Sequence, residues 1–215
     1  MAEYQLYCFG ESGNCYKAAL MLQLSRMGWE PIHVDYFAGE TRSDAYRSGV
    51  NEMGEAPVLE TEGENLSQSG AILTHLAETT GKFAPASAAE RLEALRWMLF
   101  DNHKFTSYFA TYRFLKAFAQ PAPDANVVAF LKGRFEAAAA IVDKHLAKSK
   151  FMVGDQPTTA DFSLAGYVYY PVEEHGYDWV KTHPGIHAWT ERLRAVPGWK
   201  PPYELMPGER IAPVR

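Results

Sequence analysis

One short segment combines a hydroxyl and a thiol at a spacing that suits thiol chemistry. Ser12 and Cys15 stand in Ser12-Gly13-Asn14-Cys15-Tyr16-Lys17, between a predicted strand and a predicted helix. A helix N-terminus presents free backbone N–H groups and a partial positive charge, which stabilise a thiolate and lower its pKa. Ser12 can donate a hydrogen bond to such a thiolate. The alternative interpretation is that Ser12 or Asn14 only caps the helix.

The spacing of Ser12 and Cys15 is that of a C-x-x-C redox motif with serine in the first position. A C-x-x-C motif beside a βαβ pattern indicates a thioredoxin-like fold. Because the first cysteine is missing, a two-thiol redox cycle is not available within this segment. We therefore expect the segment to serve a thiol that is brought by a ligand.

Two further segments offer groups that could contact a ligand. In Glu55-Ala56-Pro57-Val58-Leu59, Pro57 either begins a strand, where its missing N–H costs nothing, or marks a cis peptide bond. In Gln68-Ser69-Gly70, Ser69 is a predicted helix N-cap. An amide, a hydroxyl and free N–H groups at a helix start suit a small carboxylate, although a plain cap explains the same residues.

A fourth motif is interpreted as structural. Thr158 and Asp161 fit the first and fourth positions of a capping box, with Asp in place of the usual Glu. An apolar run follows, as it does at the start of a packed helix. We assign this motif to folding and expect no chemistry from it.

The predicted elements fall into two blocks. Strands and helices alternate in the first block, which begins as a βαβ unit, and a helical pattern fills the second. The first block contains strands over 4–9, 31–36, 57–60 and 64–66 and helices over 14–27, ending at Gly28, and 69–80, ending at Gly81; the second contains helices over 88–118, 125–148, 158–172 and 186–196. The predicted domains are 1–82 and 88–200, followed by a C-terminal tail over 201–215.

Composition excludes several classes of function. The chain has 215 residues, 47% hydrophobic and 22% charged, which is typical of a globular protein with a substantial core. A net charge of −5 without clustered Lys or Arg argues against nucleic acid as a partner. No apolar run reaches membrane-spanning length, and no basic-apolar leader is present, so neither a membrane anchor nor a signal peptide is expected. With two cysteines, Cys8 and Cys15, we predict a cytoplasmic protein without disulfides, and no metal site.

The four segments, in this order, resemble the cytosolic glutathione transferase superfamily over roughly residues 4–199. Residues 51–59 resemble the segment before its cis-proline, residues 68–72 its acidic-or-Gln, Ser, x, Ala, Ile signature, and residues 151–161 its helix-capping module. The resemblance implies the glutathione transferase fold, with an α/β thioredoxin-like N-terminal domain followed by an all-α helical C-terminal domain. It also implies a glutathione site within residues 1–80, a second-substrate site against the long helices, and a homodimer.

The resemblance assigns roles residue by residue. Ser12 matches the catalytic serine of the serine-type classes, which donates a hydrogen bond to the glutathione thiolate. Pro57 matches the cis-proline, and the backbone of Ala56 before it would pair with the cysteinyl backbone of glutathione. Gln68 and Ser69 match the pair that grips the γ-glutamyl carboxylate. The helical pair His103-Lys104 resembles a His-Lys pair that lies near the active site in bacterial classes.

Three positions depart from the pattern. Many relatives have Lys or Gln where Glu55 stands near the glycyl carboxylate, and an acid there would repel that group. Glu52 replaces a common proline. Some bacterial classes use a cysteine near the position of Cys15, so the choice between Ser12 and Cys15 stays open, with Ser12 favoured at the exposed end of the helix.

Aromatic residues are concentrated in residues 97–118 beyond what one helix face needs. Most are expected in the core or in a dimer contact, and some in an apolar pocket for an electrophile. The candidates for that pocket are Phe9, Phe105, Tyr108, Phe109 and Tyr112, with Tyr167 as a further possibility.

The predicted function is a glutathione transferase that activates the glutathione thiol for attack on a small apolar electrophile, as in detoxification. Two alternatives remain on the same fold. One is a glutathione-dependent disulfide reductase or isomerase, and the other is a non-catalytic binding protein.

Overall fold

The N-terminal half is a four-stranded mixed sheet with helices packed against it, in a computed structural model that describes residues 3–215. The strand order is β2-β1-β3-β4; β1 and β2 are parallel, and β3 is antiparallel to β1 and β4. The strands are β1 (Tyr4–Cys8), β2 (Trp29–His33), β3 (Val58–Thr61) and β4 (Glu64–Ser67), and the helices are α1 (Gly13–Ser25), α2 (Asp44–Gly49) and α3 (Ser69–Thr80). A 3₁₀ turn, Glu40–Arg42, precedes α2.

Side chains of β1 alternate between the core and the opposite face of the sheet. Tyr4, Leu6 and Cys8 are buried, whereas the intervening side chains are partly exposed. The second strand lies two to three residues earlier than predicted, because β1 pairs with β2 in a register that sets Cys8 opposite His33. The predicted βαβ unit is otherwise confirmed.

The end of α1 differs from the prediction. Arg26, with a φ of 59°, takes the left-handed conformation that was expected of Gly28. The Arg26 N–H donates to the Gln23 carbonyl and the Met27 N–H to the Leu22 carbonyl, at 3.1 and 3.3 Å. These are the two hydrogen bonds of a Schellman motif, which closes the helix before the glycine is reached.

The C-terminal half is helical, as predicted, but its first long helix is interrupted. α4 (Ala88–Phe100) leads into a π-helical turn, Asp101–Phe105, and then into α5 (Thr106–Ala117). The turn holds Asp101 fully buried, where its carboxylate accepts hydrogen bonds from Lys17 Nζ at 2.7 Å, Thr106 Oγ1 at 2.6 Å and Ser163 Oγ at 2.7 Å. This buried carboxylate therefore joins α1 of the N-terminal half to the helices of the C-terminal half.

One of the later predicted helices is much shorter than the pattern predicts, whereas the helix expected over 186–196 keeps its length and begins at Pro184. The helix expected over 158–172 ends at Leu164, and the chain then turns so that Gly166 and Tyr167 pack against the start of α1. No helix among residues 3–215 is long and apolar enough to cross a membrane. The further helices are α6 (Ala125–Leu146), α7 (Thr159–Leu164), α8 (Val172–His175), α9 (Trp179–Thr182), α10 (Pro184–Arg194) and α11 (Pro202–Leu205).

Candidate functional site

A cavity of about 760 Å³ opens between the sheet half and the helix α5. Its volume is within the range of small-molecule sites in proteins. The N-terminal half contributes its polar residues from the ends of β1, β3 and β4, and the helical half contributes one face of the π turn and α5. The lining includes Phe9, Ser12, Asn14, Phe37, Arg42, Glu55, Ala56, Pro57, Gln68, Ser69, Asn102, Arg113, Phe114, Phe118 and Tyr167.

Ser12 lies at the N-terminus of α1 and lines the cavity. Its backbone is extended, and its Oγ accepts a hydrogen bond from the Cys15 N–H at 3.2 Å, so it is the N-cap of the helix. Because that bond uses the oxygen as an acceptor, the hydroxyl proton is left to donate elsewhere. The capping role and a donor role toward a ligand are therefore compatible at this residue.

Cys15 occupies a different environment from Ser12. Its side chain is fully buried beneath the helix start and does not line the cavity. Burial raises the pKa of Cys15 to about 12, and hydrogen bonds involving Ser12 and Phe9 only partly oppose this rise. Burial likewise raises the pKa of Cys8. Both thiols are free and buried, which is typical of structural cysteines.

The segment before β3 reaches the cavity through a cis peptide bond between Ala56 and Pro57, as the resemblance implied. The preceding carbonyl of Glu55 is held by two donors, Tyr46 Oη at 3.1 Å and Asn51 Nδ2 at 2.9 Å. The side chain of Glu55 accepts a hydrogen bond from Gln68 Nε2 at 2.7 Å. Glu55 and Gln68 thus form one polar pair at the exposed edge of the cavity.

Ser69 is the first residue of α3 rather than its N-cap. The N-cap position is taken by Gln68, whose φ of 70° and ψ of 112° lie outside the regions that non-glycine residues prefer, and whose side chain makes no capping bond. Strained backbone of this kind concentrates at ligand sites. Ser69 is buried in the cavity wall beside the free N–H groups of the helix start, an arrangement that suits an anion.

Two arginines line the cavity although no sequence motif predicted them. Arg42, in the 3₁₀ turn, makes no ion pair with any carboxylate between residues 3 and 215. Arg113, on α5, is buried, pairs with the buried Glu174, and donates through Nη1 to the backbone oxygen of Glu11 at 2.7 Å. Its charge is therefore compensated, whereas that of Arg42 is available to a ligand.

The aromatic wall of the cavity differs from the predicted one. Phe9 lines it, but Phe105, Tyr108, Phe109 and Tyr112 do not. Phe105 and Phe109 pack in an aromatic core against Phe135, Tyr112 packs on Tyr177, and the Tyr108 hydroxyl accepts from Arg134. The wall is completed instead by Phe37, Phe114 and Phe118.

The predicted pair His103-Lys104 also lies outside the cavity lining. His103 is exposed, and its neighbour Asn102 faces the cavity instead. Asn14, at the start of α1, does line the cavity beside Ser12. No cluster of His, Cys, Asp and Glu side chains that could hold a metal occurs in the described part of the chain.

The chain's last residues pack near the same site. The Ile211 N–H donates to Glu11 Oε1 at 2.9 Å, and the Val214 N–H donates to the Ala117 carbonyl at 2.8 Å. Arg210 forms ion pairs with both Glu173 and Glu174. The C-terminal tail therefore contacts both the turn after β1 and the helical half.

The family of the chain follows from two sequence profiles. That of the glutathione S-transferase N-terminal domain matches residues 6–84, and that of the glutathione S-transferase C-terminal domain matches residues 125–192. Together they cover the sheet half and the helical half that border the cavity. The chain belongs to the glutathione S-transferase family.

Individual relatives agree with this membership. A maleylacetoacetate isomerase of Rhizobium meliloti is 30% identical over 175 residues, which cover 78% of this chain and 81% of the isomerase. The crystal structure of a glutathione S-transferase from Pseudomonas fluorescens is 32% identical, with a TM-score of 0.84 over 94% of this chain and 99% of that one. A glutathione transferase homologue from Lodderomyces elongisporus, solved with two glutathione molecules per subunit, shares the fold at 24% identity, with a TM-score of 0.85 over 96% of this chain and all of that one.

Proposed function

We propose that this protein binds glutathione in the cavity and activates its thiol for attack on a small apolar electrophile. The observation that carries the proposal is the position of Ser12, whose hydroxyl caps α1 and lines the same cavity as Pro57 and Ser69. A hydroxyl donor and a helix N-terminus both favour a charged sulfur over a neutral one. Family membership supports glutathione as the thiol that is held there.

We assign the parts of glutathione to polar groups in the part of the cavity wall that the N-terminal half contributes. The γ-glutamyl carboxylate is assigned to Ser69 and the N-terminus of α3, with Gln68 beside it. The cysteinyl backbone is assigned to Ala56, next to the cis-proline. Arg42 is assigned to the glycyl carboxylate, and this cation offsets the repulsion expected from Glu55, which already accepts a hydrogen bond from Gln68.

The electrophile is assigned to the aromatic wall. Phe37 stacks on Phe114, and Phe118 meets Phe37 edge to face, with ring centroids 6.4 and 6.1 Å apart. Phe9, next to the Ser12 turn, continues this surface toward the sulfur position. Phe rings offer large apolar contact surfaces and stacking geometry, so a flat apolar electrophile is favoured over a charged one.

Isomerisation of a glutathione-bound substrate is the second candidate function, and the maleylacetoacetate isomerase relative favours it. The same activated thiol would serve both reactions, because a fold does not fix the reaction. A substrate panel of aromatic halides, cis-diketo acids and mixed disulfides separates transfer from isomerisation and from disulfide reduction. Absence of glutathione binding by calorimetry would instead favour a non-catalytic protein.

A homodimer and a cytoplasmic location remain predictions. Three leucines on α4, Leu92, Leu95 and Leu99, are exposed in the single chain and follow one another at helical spacing. An exposed apolar stripe of this kind is typical of a protein contact. It supports the homodimer that the family resemblance implies.

The choice between Ser12 and Cys15 is tested by a pair of variants. Ser12→Ala removes the hydroxyl donor, and we expect a loss of about 1.5–3 kcal/mol of thiolate stabilisation, equivalent to a bound-thiol pKa raised by about one to two. Cys15→Ala removes a buried sulfur that does not line the cavity, so we expect a loss of stability with activity retained. The measurements are thiolate absorbance and turnover against pH.

The control is folding stability, because Ser12→Ala also removes a cap worth about 1 kcal/mol. Turnover is therefore compared at a temperature where both variants are folded. If Cys15→Ala loses activity and Ser12→Ala keeps it, then the assignment is reversed and Cys15 is the thiol-activating residue.

A further inference from the structure

Tyr167 brings a second hydroxyl to the start of α1 from the opposite half of the molecule. It follows α7, lines the cavity and is only 7% exposed. Its ring lies directly against Gly13, the first residue of α1. A Cβ built on Gly13 would be 2.4 Å from Cδ2 of that ring and 2.6 Å from the Gly166 carbonyl oxygen, so only glycine permits this approach.

Tyr167 borders the cavity at the start of α1, as Ser12 does. The nearby backbone N–H groups of Gly13 and Asn14 favour the charged form of the phenol. Burial disfavours the charged form more strongly and raises the pKa of Tyr167, so the phenol stays protonated at neutral pH.

The proton of Tyr167 has no acceptor within residues 3–215. By contrast, the neighbouring Tyr170 donates its hydroxyl proton to the Gly10 carbonyl at 2.7 Å and does not line the cavity. Ser12 also borders the cavity through a hydroxyl, whose oxygen accepts from the Cys15 N–H at 3.2 Å. Two hydroxyls, those of Ser12 and Tyr167, therefore border the cavity where α1 begins.

We propose that Tyr167 is a second catalytic residue, which donates a hydrogen bond to the glutathione sulfur alongside Ser12. This inference rests on the proposed function and deepens it. The thiolate is then held by one hydroxyl from the N-terminal half and one from the helical half. Activation of the thiol depends on the two halves being joined, because neither half carries both donors.

The inference fits the packing around Tyr167. The ring is held between Gly13 on one side and the Arg113 guanidinium, 5.7 Å from its centroid, with Tyr170 stacked at 5.8 Å. A ring fixed on several sides presents its hydroxyl at one position. Such preorganised donors act without a reorganisation cost when charge develops on the ligand.

The test compares Tyr167→Phe with Tyr170→Phe. Each variant removes one phenol oxygen and keeps the ring, but only Tyr167 lines the cavity. For Tyr167→Phe we expect the pKa of bound glutathione to rise by about one, and kcat/KM at neutral pH to fall about tenfold, with recovery at higher pH. For Tyr170→Phe we expect the pH profile of the rate to keep its wild-type midpoint.

Glutathione affinity, measured by calorimetry on each protein, separates this inference from the proposed function. Wild-type protein that fails to bind glutathione defeats the proposed function itself. Wild-type protein that binds and turns over, together with a Tyr167→Phe variant whose thiol pKa and pH profile are unchanged, overturns only the role of Tyr167. A Tyr167→Phe variant that is slow at every pH, with an unchanged thiol pKa, overturns it as well.

Discussion

The buried His175 should make the protein less stable at acidic pH, because its hydrogen bonds require a neutral ring. Its Nε2 lies 2.9 Å from the Tyr170 carbonyl, and its Nδ1 lies 3.0 Å from the Tyr177 backbone nitrogen. The first must be a donor and the second an acceptor, so the ring is neutral with its proton on Nε2. Protonation of Nδ1 would break the second hydrogen bond and bury a charge.

The magnitude follows from the pKa values in the two states. Burial is the main cause that lowers the pKa of His175 to about 4, from about 6.5 in an unfolded chain. Because the folded pKa is depressed, the unfolded state binds the proton more readily, and stability is lost as pH falls from about 6.5 toward 4. Between pH 8 and pH 4.5 the loss from this residue is about 2.5 kcal/mol.

The assay is urea unfolding of wild-type protein and His175→Gln across this pH range. Glutamine cannot be protonated, so the stability difference between the two proteins should shrink by about 2.5 kcal/mol as pH falls. The difference at pH 8 gives the packing cost of the substitution alone and serves as the internal control. Asp161, whose pKa burial raises to about 6, acts with the opposite sign in both proteins and cancels in the difference. Stability curves that stay parallel would refute the neutral, fully bonded His175.

Three further predictions concern folding, binding and assembly. Asp161→Ala should lower the free energy of unfolding by about 3 kcal/mol, more than the roughly 1 kcal/mol of a capping box alone. The reason is that its carboxylate also accepts from the Met152 N–H and Trp189 Nε1, both at 2.8 Å. A variant with normal stability and abolished turnover would instead give Asp161 a chemical role. Ser69→Ala should weaken glutathione binding by roughly 1–3 kcal/mol in calorimetry, and unchanged affinity would remove Ser69 from the site. Sedimentation should show a dimer of the 24.1 kDa chain that Leu95→Glu converts to monomer, and wild-type protein that sediments only as a monomer at micromolar concentration would contradict it.

The fold and the positions of the polar residues around the cavity could be predicted because their signals are local. Ser12, Pro57 and Ser69 each begin or precede an element, and short-range chemistry determines such positions. The capping box of Thr158 and Asp161 is present for the same reason. Two local predictions were wrong: Arg26 takes the left-handed conformation expected of Gly28, and Gln68 takes the N-cap position expected of Ser69.

The aromatic wall could not be predicted because it depends on a backbone irregularity. Successive side chains of an α-helix are rotated by about 100° around its axis. The π turn at Asp101–Phe105 has wider hydrogen-bond spacing, so every later side chain points in a different direction from that in a regular helix. Phe105 and Phe109 consequently enter the core, and Phe114 reaches the cavity. Arg42 was missed for another reason, since it lies in a polar segment without periodicity.

The ion pair between Lys17 and Asp101 constrains how this sequence can vary. Both side chains are fully buried, and removing one partner of such a pair typically costs about 3–5 kcal/mol because the other charge is left uncompensated. A change at either position alone is therefore disfavoured, whereas replacing both with apolar residues of similar volume is tolerable. Positions 17 and 101 should accordingly change together among homologous sequences, and a chimera that joins the first eighty residues of one relative to the helices of another should fold only when this pair is matched.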